Sequence, residues 1–191
     1  AHFPYASPDM PRLLPGEPIP RAEISPANPD RVARTYWNAI AYNDRLVGAL
    51  LARLERLGVL EDSLIVVTAD HGESLFDDGF LGHGHALNAQ QTRIPFILSD
   101  PGVTLPPAIG LADMRTIIVR AAGAAVQPAA PRAVFQYLGD FDRPGMIGAG
   151  GPGGQWIRFD LFREAVWTSR SGRWTGRSPT RSSGPSKPIS A

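Results

Sequence analysis

The protein has 191 residues, of which 43% are hydrophobic, and its formal net charge is +1 at pH 7. This composition predicts one folded domain of ordinary size rather than a disordered chain. The near-zero net charge gives no electrostatic basis for nucleic acid as a main partner. The sequence contains no cysteine, which excludes disulfides, thiolate metal sites and a cysteine nucleophile within these residues.

The sequence contains no stretch of about 18 apolar residues, so no transmembrane helix is expected in it. Residues 1–5 have neither the charged start nor the apolar centre of a signal peptide, and the first residue is not methionine. We therefore expect a chain that begins within a larger protein. Any membrane attachment would come from an upstream segment outside this chain.

The first element that the sequence predicts is a long helix preceded by an irregular loop. Residues 3–29 are rich in proline, which lacks an N–H and disfavours both helices and central strands. Asn28 and Pro29 then predict a helix start, with the Asn28 side chain as the cap and Pro29 in the first turn. Apolar residues recur at helical spacing as far as Leu57, and Gly58 predicts the helix end.

Beyond this helix the pattern changes to short apolar runs. Residues 64–68 are β-branched and apolar, which predicts a strand buried on both faces. Residues 111–122 predict a second helix that Gly123 closes. The order of helix, strand, polar loop and strand predicts α/β organisation. The segments expected to form strands are 64–68, 94–98, 133–138 and 155–167.

The end of the sequence differs in composition from the rest. From Thr168 onward serine, arginine, glycine and proline dominate without periodicity. Such a composition is typical of a disordered tail, to which we assign no function. The sequence therefore predicts two parts, a folded part at 1–167 and a low-complexity tail at 168–191.

The loop after the first predicted strand concentrates residues that bind metals. Asp70 and His71 follow the strand directly, and His83 and His85 follow on the same loop, separated by glycines that let it bend. Carboxylate oxygen and neutral imidazole nitrogen are both ligands for ions such as Zn²⁺ or Mn²⁺. In α/β sheets ligands gather at the carboxyl ends of strands, so a metal or phosphate site is expected here. The alternative is that Asp70 and His71 only form a turn on a solvated loop.

Residues 64–95, reading LIVVTADHGESLFDDGFLGHGHALNAQQTRIP, resemble the C-terminal half of the sulfatase family within the alkaline phosphatase superfamily. The preceding helix and the segments 111–123 and 134–156 are similar to elements of the same half. The resemblance thus covers about residues 1–167. It implies an alkaline-phosphatase-like α/β/α sandwich, of which this chain is the C-terminal part.

The resemblance also implies roles for four residues. Asp70 and His71 match metal ligands of the family, and His83 matches a Lys or His that contacts the sulfate or phosphate. A basic or N–H group there would offset charge that develops during the reaction. His2 resembles a second histidine that faces the anion, although a histidine so placed can also be merely exposed. The implied cofactor is one divalent metal ion, Zn²⁺, Mn²⁺ or Ca²⁺, and Ca²⁺ prefers oxygen ligands.

Several neighbouring residues have less definite roles. Glu73 could hydrogen-bond a ligating imidazole or merely cap and solvate the loop, and the second interpretation is favoured. Asp77 and Asp78 are expected to form a turn. Arg93 could pair with a carboxylate, and His85 is left without an assigned role.

Members of the family use a threonine, serine or modified cysteine nucleophile that belongs to an N-terminal half, and Thr68 and Ser74 do not match it. The resemblance therefore implies a larger enzyme that hydrolyses small sulfate or phosphate esters with a metal, of which this chain alone is inactive. A phosphoethanolamine- or glycerophosphate-type transferase and a non-catalytic metal-binding module are the alternatives. The resemblance also suggests a bacterial periplasmic or membrane-attached location and leaves the oligomeric state open.

Overall fold

A computed structural model describes residues 2–6, 9–100, 102–128, 130, 132–140, 142–169 and 172–174. None of the helices in these ranges is both long enough and apolar enough to span a membrane. The elements are, in chain order, a 3-10 helix at Arg21–Glu23, α1 at Pro29–Arg56, β1 at Val66–Thr68, β2 at Ser74–Leu75, β3 at Leu81–Gly82, α2 at Ala89–Thr92, β4 at Phe96–Leu98, α3 at Leu111–Ala121, β5 at Val134–Asp140, β6 at Arg143–Gly150, β7 at Trp156–Asp160, β8 at Ala165–Thr168 and β9 at Gly172–Trp174.

The long helix α1 begins and ends where the sequence predicts, but its start is not capped as expected. Asn28 occupies the cap position without a side-chain bond to the first turn of the helix. Its amide instead accepts a hydrogen bond from the Ser25 N–H and donates one to the Glu23 carbonyl. The predicted capping role of Asn28 is therefore wrong, because its side chain is used by the preceding turn. Gly58, with φ 69°, terminates the helix as predicted.

The proline-rich segment before α1 is irregular apart from its short 3-10 helix, and it packs along α1. The Leu13 N–H donates to Asn38 Oδ1 at 2.7 Å, and the Ile19 N–H donates to Thr35 Oγ1 at 3.0 Å. Backbone polar groups without regular structure can be buried only when they find such partners. Side chains of α1 thus hold the segment that leads back to His2.

The apolar core joins this segment, α1 and the β2–β3 hairpin. Four of its residues are buried and seven partly buried hydrophobic side chains pack around them. The buried residues are Tyr5, Ile19, Val32 and Ala39, and the others are Phe3, Met10, Ile24, Tyr36, Leu75, Phe76 and Leu81. Because the hairpin contributes to this core, the loop that carries the candidate site is fixed against α1.

Strands β1 and β4 form an antiparallel pair in which Val66 lies opposite Leu98. The sequence predicts full burial for β1, and this prediction is wrong for the described residues: the strand is half-buried and Thr68 is exposed. The reason is that, in the described part of the chain, β1 mainly contacts its partner strand β4 and no helix packs closely over its faces. The pair nevertheless brings the end of β1, which leads into Asp70, next to the start of β4.

Strands β5 to β9 form a single antiparallel sheet in sequence order. Of these, β5, β7 and β8 correspond to segments expected as strands, whereas β6 was not expected. Helix α3 ends before Gly123, which has φ 87°, as predicted. Strand β9 belongs to the segment predicted as a tail at 168–191, and it pairs with β8. Residues 175–191 of that segment lie outside the described residues.

Candidate metal and anion site

The loop between β1 and β4 is held in a compact shape by close backbone contact at Gly72. Its N–H donates to the Gln91 carbonyl at 2.8 Å. A Cβ placed on Gly72 would lie 1.9 Å from the Gln90 carbonyl oxygen, so a side chain has no room there. Asn88 caps the short helix α2 by accepting from the Gln91 N–H. These contacts hold the start and the end of the loop together next to Asp70 and His71.

One carboxylate oxygen of Asp70 and one ring nitrogen of His71 lie close together. The Asp70 Oδ2 lies 3.7 Å from the His71 Nε2. The His71 Nδ1 donates to the Gly72 carbonyl at 2.8 Å. Since a carbonyl only accepts, Nδ1 carries the proton, and Nε2 of the neutral ring keeps a free lone pair.

The ionisation state of Asp70 also suits a cation. Its own backbone N–H and that of His71 hydrogen-bond the carboxylate, and the neighbouring His71 and His83 add to their effect, so that the pKa of Asp70 lies below its ordinary value. The side chain is exposed. Asp70 is therefore an accessible carboxylate that is charged at neutral pH.

The donor atoms of this pair fit two positions around a divalent ion. Metal–ligand distances of about 2.0–2.2 Å place two tetrahedral ligand atoms roughly 3.4 Å apart, close to the observed 3.7 Å. No group of three or more His, Cys, Asp or Glu side chains arranged to hold a metal occurs in the described ranges. Asp70 and His71 can thus supply two ligands of a coordination shell that needs more.

His83 lies directly against this pair. Its ring stacks on that of His71, with centroids 3.7 Å apart and an interplanar angle of 29°. The His83 Nδ1 donates to Glu73 Oε1 at 2.9 Å. The Glu73 side chain is only 4% exposed, so the favoured interpretation of Glu73 as a cap or a solvated loop residue is wrong.

His2 is brought to the same place from the other end of the chain. Its ring meets the His83 ring edge to face, with centroids 5.4 Å apart, and its side chain is exposed. Asp70, His71, His83 and His2, the four residues singled out in the sequence, therefore adjoin one another. We call them the Asp–His cluster.

The fourth histidine of the sequence lies in the scaffold of the loop. His85 Nε2 lies 3.0 Å from the amide nitrogen of Gln91 and 3.4 Å from the Asp78 carboxylate. Asp78 also accepts from Ser74 Oγ at 2.9 Å and from the Asn88 amide at 2.6 Å. Asp78 is thus a partly buried hub of the loop as well as the turn residue that the sequence predicts.

Three further residues discussed above have simple surroundings. Asp77 accepts a hydrogen bond from the Leu75 N–H, as a turn residue does. Thr68 Oγ1 donates to the Pro95 carbonyl at 2.9 Å. Arg93 is exposed and forms no ion pair with any described residue, so its expected pairing with a carboxylate is not observed.

A cleft of about 1270 Å³ extends from the Asp–His cluster to α3 and to strands β5–β7. Arg158 lines this cleft, with its guanidinium over the rings of Trp156 and Trp167 at 5.7 and 5.2 Å, and it donates to the Leu87 carbonyl at 3.1 Å. Arg132 on its wall is paired with Asp113 at 2.6 Å. Sequence reasoning missed both arginines, because their positions depend on strand pairing far from the loop.

The comparison with known protein families is consistent with this arrangement. A family model described as Sulfatase matches residues 2–124, which is more than half of the chain. The chain belongs to the sulfatase family. The matched part contains α1, β1, the loop with the Asp–His cluster, β4 and α3. Sulfatases generally use a divalent metal ion.

Individual sulfatase relatives match shorter stretches. The multifunctional alkaline phosphatase superfamily protein PehA of Trinickia caryophylli is 40% identical over 68 residues, which are 36% of this chain and 13% of PehA. The choline-sulfatase of Rhizobium meliloti is 28% identical over 113 residues, 57% of this chain and 22% of that enzyme. The chain thus spans less than a quarter of the length of either relative.

A solved sulfatase-like structure confirms the fold. BT4656, solved in complex with D-glucosamine-2-N,6-O-disulfate, superimposes with a TM-score of 0.56 at 16% sequence identity. The match covers 78% of this chain and 36% of the BT4656 chain. The expected alkaline-phosphatase-like α/β fold, present in part, is therefore confirmed.

Proposed function

We propose that the protein hydrolyses small sulfate or phosphate esters with the help of one divalent metal ion. In this proposal residues 1–167 are part of the catalytic domain, Asp70 and His71 are metal ligands, and His83 and His2 contact the anion. The observation that carries it is the convergence of the Asp–His cluster, in which an ionised carboxylate and an imidazole lone pair lie 3.7 Å apart beside two further histidines.

Each residue has a definite task in this reaction. Asp70 and His71 hold the ion, which would polarise the ester oxygens and favour attack at sulfur or phosphorus. Since Nδ1 is engaged by Glu73, His83 would meet the anion through Nε2, which donates a hydrogen bond to an oxygen on which charge develops only when both ring nitrogens carry a proton. His2 lies at the exposed side of His83, where it can contact the same anion. Zn²⁺ or Mn²⁺ suits the imidazole ligand better than Ca²⁺ does.

The proposal assigns the nucleophile to no residue of this chain. Thr68 donates to the Pro95 carbonyl, and Ser74 is buried and bonded to Asp78. Both hydroxyl groups are thus already engaged in hydrogen bonds, and we assign the nucleophile to neither. We therefore expect the 191-residue chain to be inactive by itself and to need further residues for turnover.

A transferase of the same superfamily is the second candidate. The phosphoethanolamine transferase EptA of Helicobacter pylori is 32% identical over 80 residues, which are 40% of this chain and 15% of EptA. The same cluster would then hold a phospho-headgroup during its transfer to an acceptor alcohol. A non-catalytic metal-binding module is the third candidate, and it requires that no nucleophile acts with the cluster at all.

The test uses the full-length protein with aryl sulfates and aryl phosphates, and it measures the release of the phenol and of the free anion. Asp70→Ala should lower turnover by at least about 100-fold, since loss of even outer groups of a metal site costs about 10–100-fold. Asp62→Ala, the same charge change in the exposed turn before β1, is the matched control. Unchanged turnover in Asp70→Ala would refute the ligand assignment. Product release only in the presence of an acceptor alcohol would favour the transferase.

A further inference from the structure

Glu73 has an unusual position for a carboxylate on a surface loop. Its side chain is 4% exposed, and it makes no ion pair with lysine or arginine within the described residues. The group that it contacts directly is the Nδ1 of His83, at 2.9 Å. A buried carboxylate is costly unless hydrogen bonds compensate it, so this placement requires an explanation beyond loop structure.

The contact determines which nitrogen of His83 carries a proton. A carboxylate only accepts hydrogen bonds, so with Glu73 in that form the His83 Nδ1 is the donor. Nε2 is then the atom left for other partners. The stacked His71 ring holds the His83 ring from one face, and Glu73 fixes its rotation about the side-chain bond. Together they orient Nε2 of His83.

Glu73 also lies beside the residue that anchors His2. Tyr5 is 1% exposed, and its buried hydroxyl makes no hydrogen bond of normal geometry with the described residues. Burial raises the pKa of Tyr5, and the nearby Glu73 raises it further. The backbone of Tyr5 has φ 65°, a left-handed conformation that is strained in a bulky residue and persists only when packing enforces it.

The packing that enforces this turn is visible. The Tyr5 ring meets the rings of Phe3 and Tyr36 edge to face, with centroids 5.8 and 5.2 Å apart. The Tyr5 N–H donates to the His2 carbonyl at 2.8 Å, which folds the segment back so that the His2 ring reaches His83. The turn that presents His2 therefore rests on Tyr5.

We propose that Glu73 is a positioning residue that holds the anion-contacting His83 through a direct hydrogen bond, and that the turn at Tyr5 holds His2 against the same ring. The inference rests on the proposed function, because it assumes that His83 and His2 contact the substrate anion. Glu73 itself touches neither the substrate nor the metal. Its loss should weaken a contact that matters during bond cleavage more than it weakens substrate binding.

The experiment compares Glu73→Gln and Glu73→Leu in the full-length protein, with Tyr36→Phe as a control that removes a neighbouring hydroxyl. Gln keeps an oxygen that can accept from Nδ1, whereas Leu keeps only the volume. With an aryl sulfate substrate we expect Leu to lower kcat and kcat/KM equally, by about 10–100-fold. Gln should recover a large part of that loss, and Tyr36→Phe should remain within about threefold of wild type.

Nitrogen-15 NMR of the histidine rings gives a readout that general destabilisation would not change. The Nδ1 proton of His83 should be hydrogen-bonded in wild type and in Glu73→Gln, and this hydrogen bond should be absent in Glu73→Leu. If both variants keep the wild-type ring spectrum and turnover, the inference is wrong. If Asp70→Ala is also as active as wild type, the proposed function is wrong as well, whereas loss in Asp70→Ala alone refutes only the role of Glu73. Should Glu73→Leu fail to fold, Glu73→Met, an unbranched apolar side chain of similar size, replaces it and is judged by the same two readouts.

Discussion

Replacing Gly72 by alanine is the most direct test of how the loop supports the Asp–His cluster. The added Cβ would lie 1.9 Å from the Gln90 carbonyl oxygen, 3.0 Å from the Gln90 carbonyl carbon and 3.3 Å from the Arg93 carbonyl oxygen. All three atoms belong to the backbone, so no side-chain rotation can relieve the clash. An ordinary contact of about 3.4 Å would require the two backbone segments to separate by roughly 1.5 Å.

Such a separation has a definite cost. It would break the hydrogen bond from the Gly72 N–H to the Gln91 carbonyl, which is 2.8 Å long and contributes about 1 kcal/mol. Strain from the inserted methyl group adds about 1–3 kcal/mol. We therefore expect Gly72→Ala to lower the free energy of unfolding by about 2–4 kcal/mol, which corresponds to roughly 4–16 °C in Tm for a domain of this size. The cluster should be displaced as well, because Gly72 directly follows His71.

The assay is thermal and urea unfolding followed by circular dichroism, with activity measured in parallel. Gly48→Ala is the matched control: Gly48 lies exposed within α1, and a Cβ there would contact nothing within 4 Å. Because alanine favours a helix over glycine, this control should raise stability by up to about 1 kcal/mol. A Gly72→Ala protein as stable and as active as wild type would refute the described packing of the loop.

Two further substitutions test the surroundings of the cluster. Burial raises the pKa of Asp78, but hydrogen bonds from Ser74, His85 and a backbone N–H outweigh it and leave the pKa below its ordinary value. Stability from Asp78 is therefore present above about pH 4 and lost as the pH falls below it, and Asp78→Asn should flatten the decline in unfolding free energy from roughly pH 5 to pH 2; an unchanged slope would contradict this. Arg158→Lys should cost about 1–2 kcal/mol in urea unfolding, because lysine lacks the flat guanidinium that lies over the rings of Trp156 and Trp167; equal midpoints would count against that role.

Local patterns in the sequence were sufficient to predict the helices. The apolar period and a terminal glycine define both α1 and α3, since Gly58 and Gly123 adopt positive φ where the helices end. Strand β6 was missed because Pro144 and three glycines hide its alternation. Its place is set by pairing with β5 and β7 on both sides, a non-local contribution that no short window of sequence contains.

The same division holds for the site. Asp70, His71 and His83 are adjacent or nearby in sequence, so the loop motif was enough to group them. The burial of Glu73 was not predictable, because it depends on Tyr5 and on α1, which reach the loop through the tertiary fold. At Asn28 the local pattern was misleading. Its residue type predicts a helix cap, but its side chain hydrogen-bonds the turn that precedes the helix.

The metal content of the purified full-length protein tests the site most directly. Wild type should retain one divalent ion per molecule after dialysis, and His71→Ala should lose it, because the Nε2 lone pair beside Asp70 disappears. His85→Ala is the control, since His85 bonds Gln91 and Asp78 rather than the cluster, and it should retain the ion. If His71→Ala bound the same ion with unchanged stoichiometry and affinity, the assignment of Asp70 and His71 as a metal site would be contradicted.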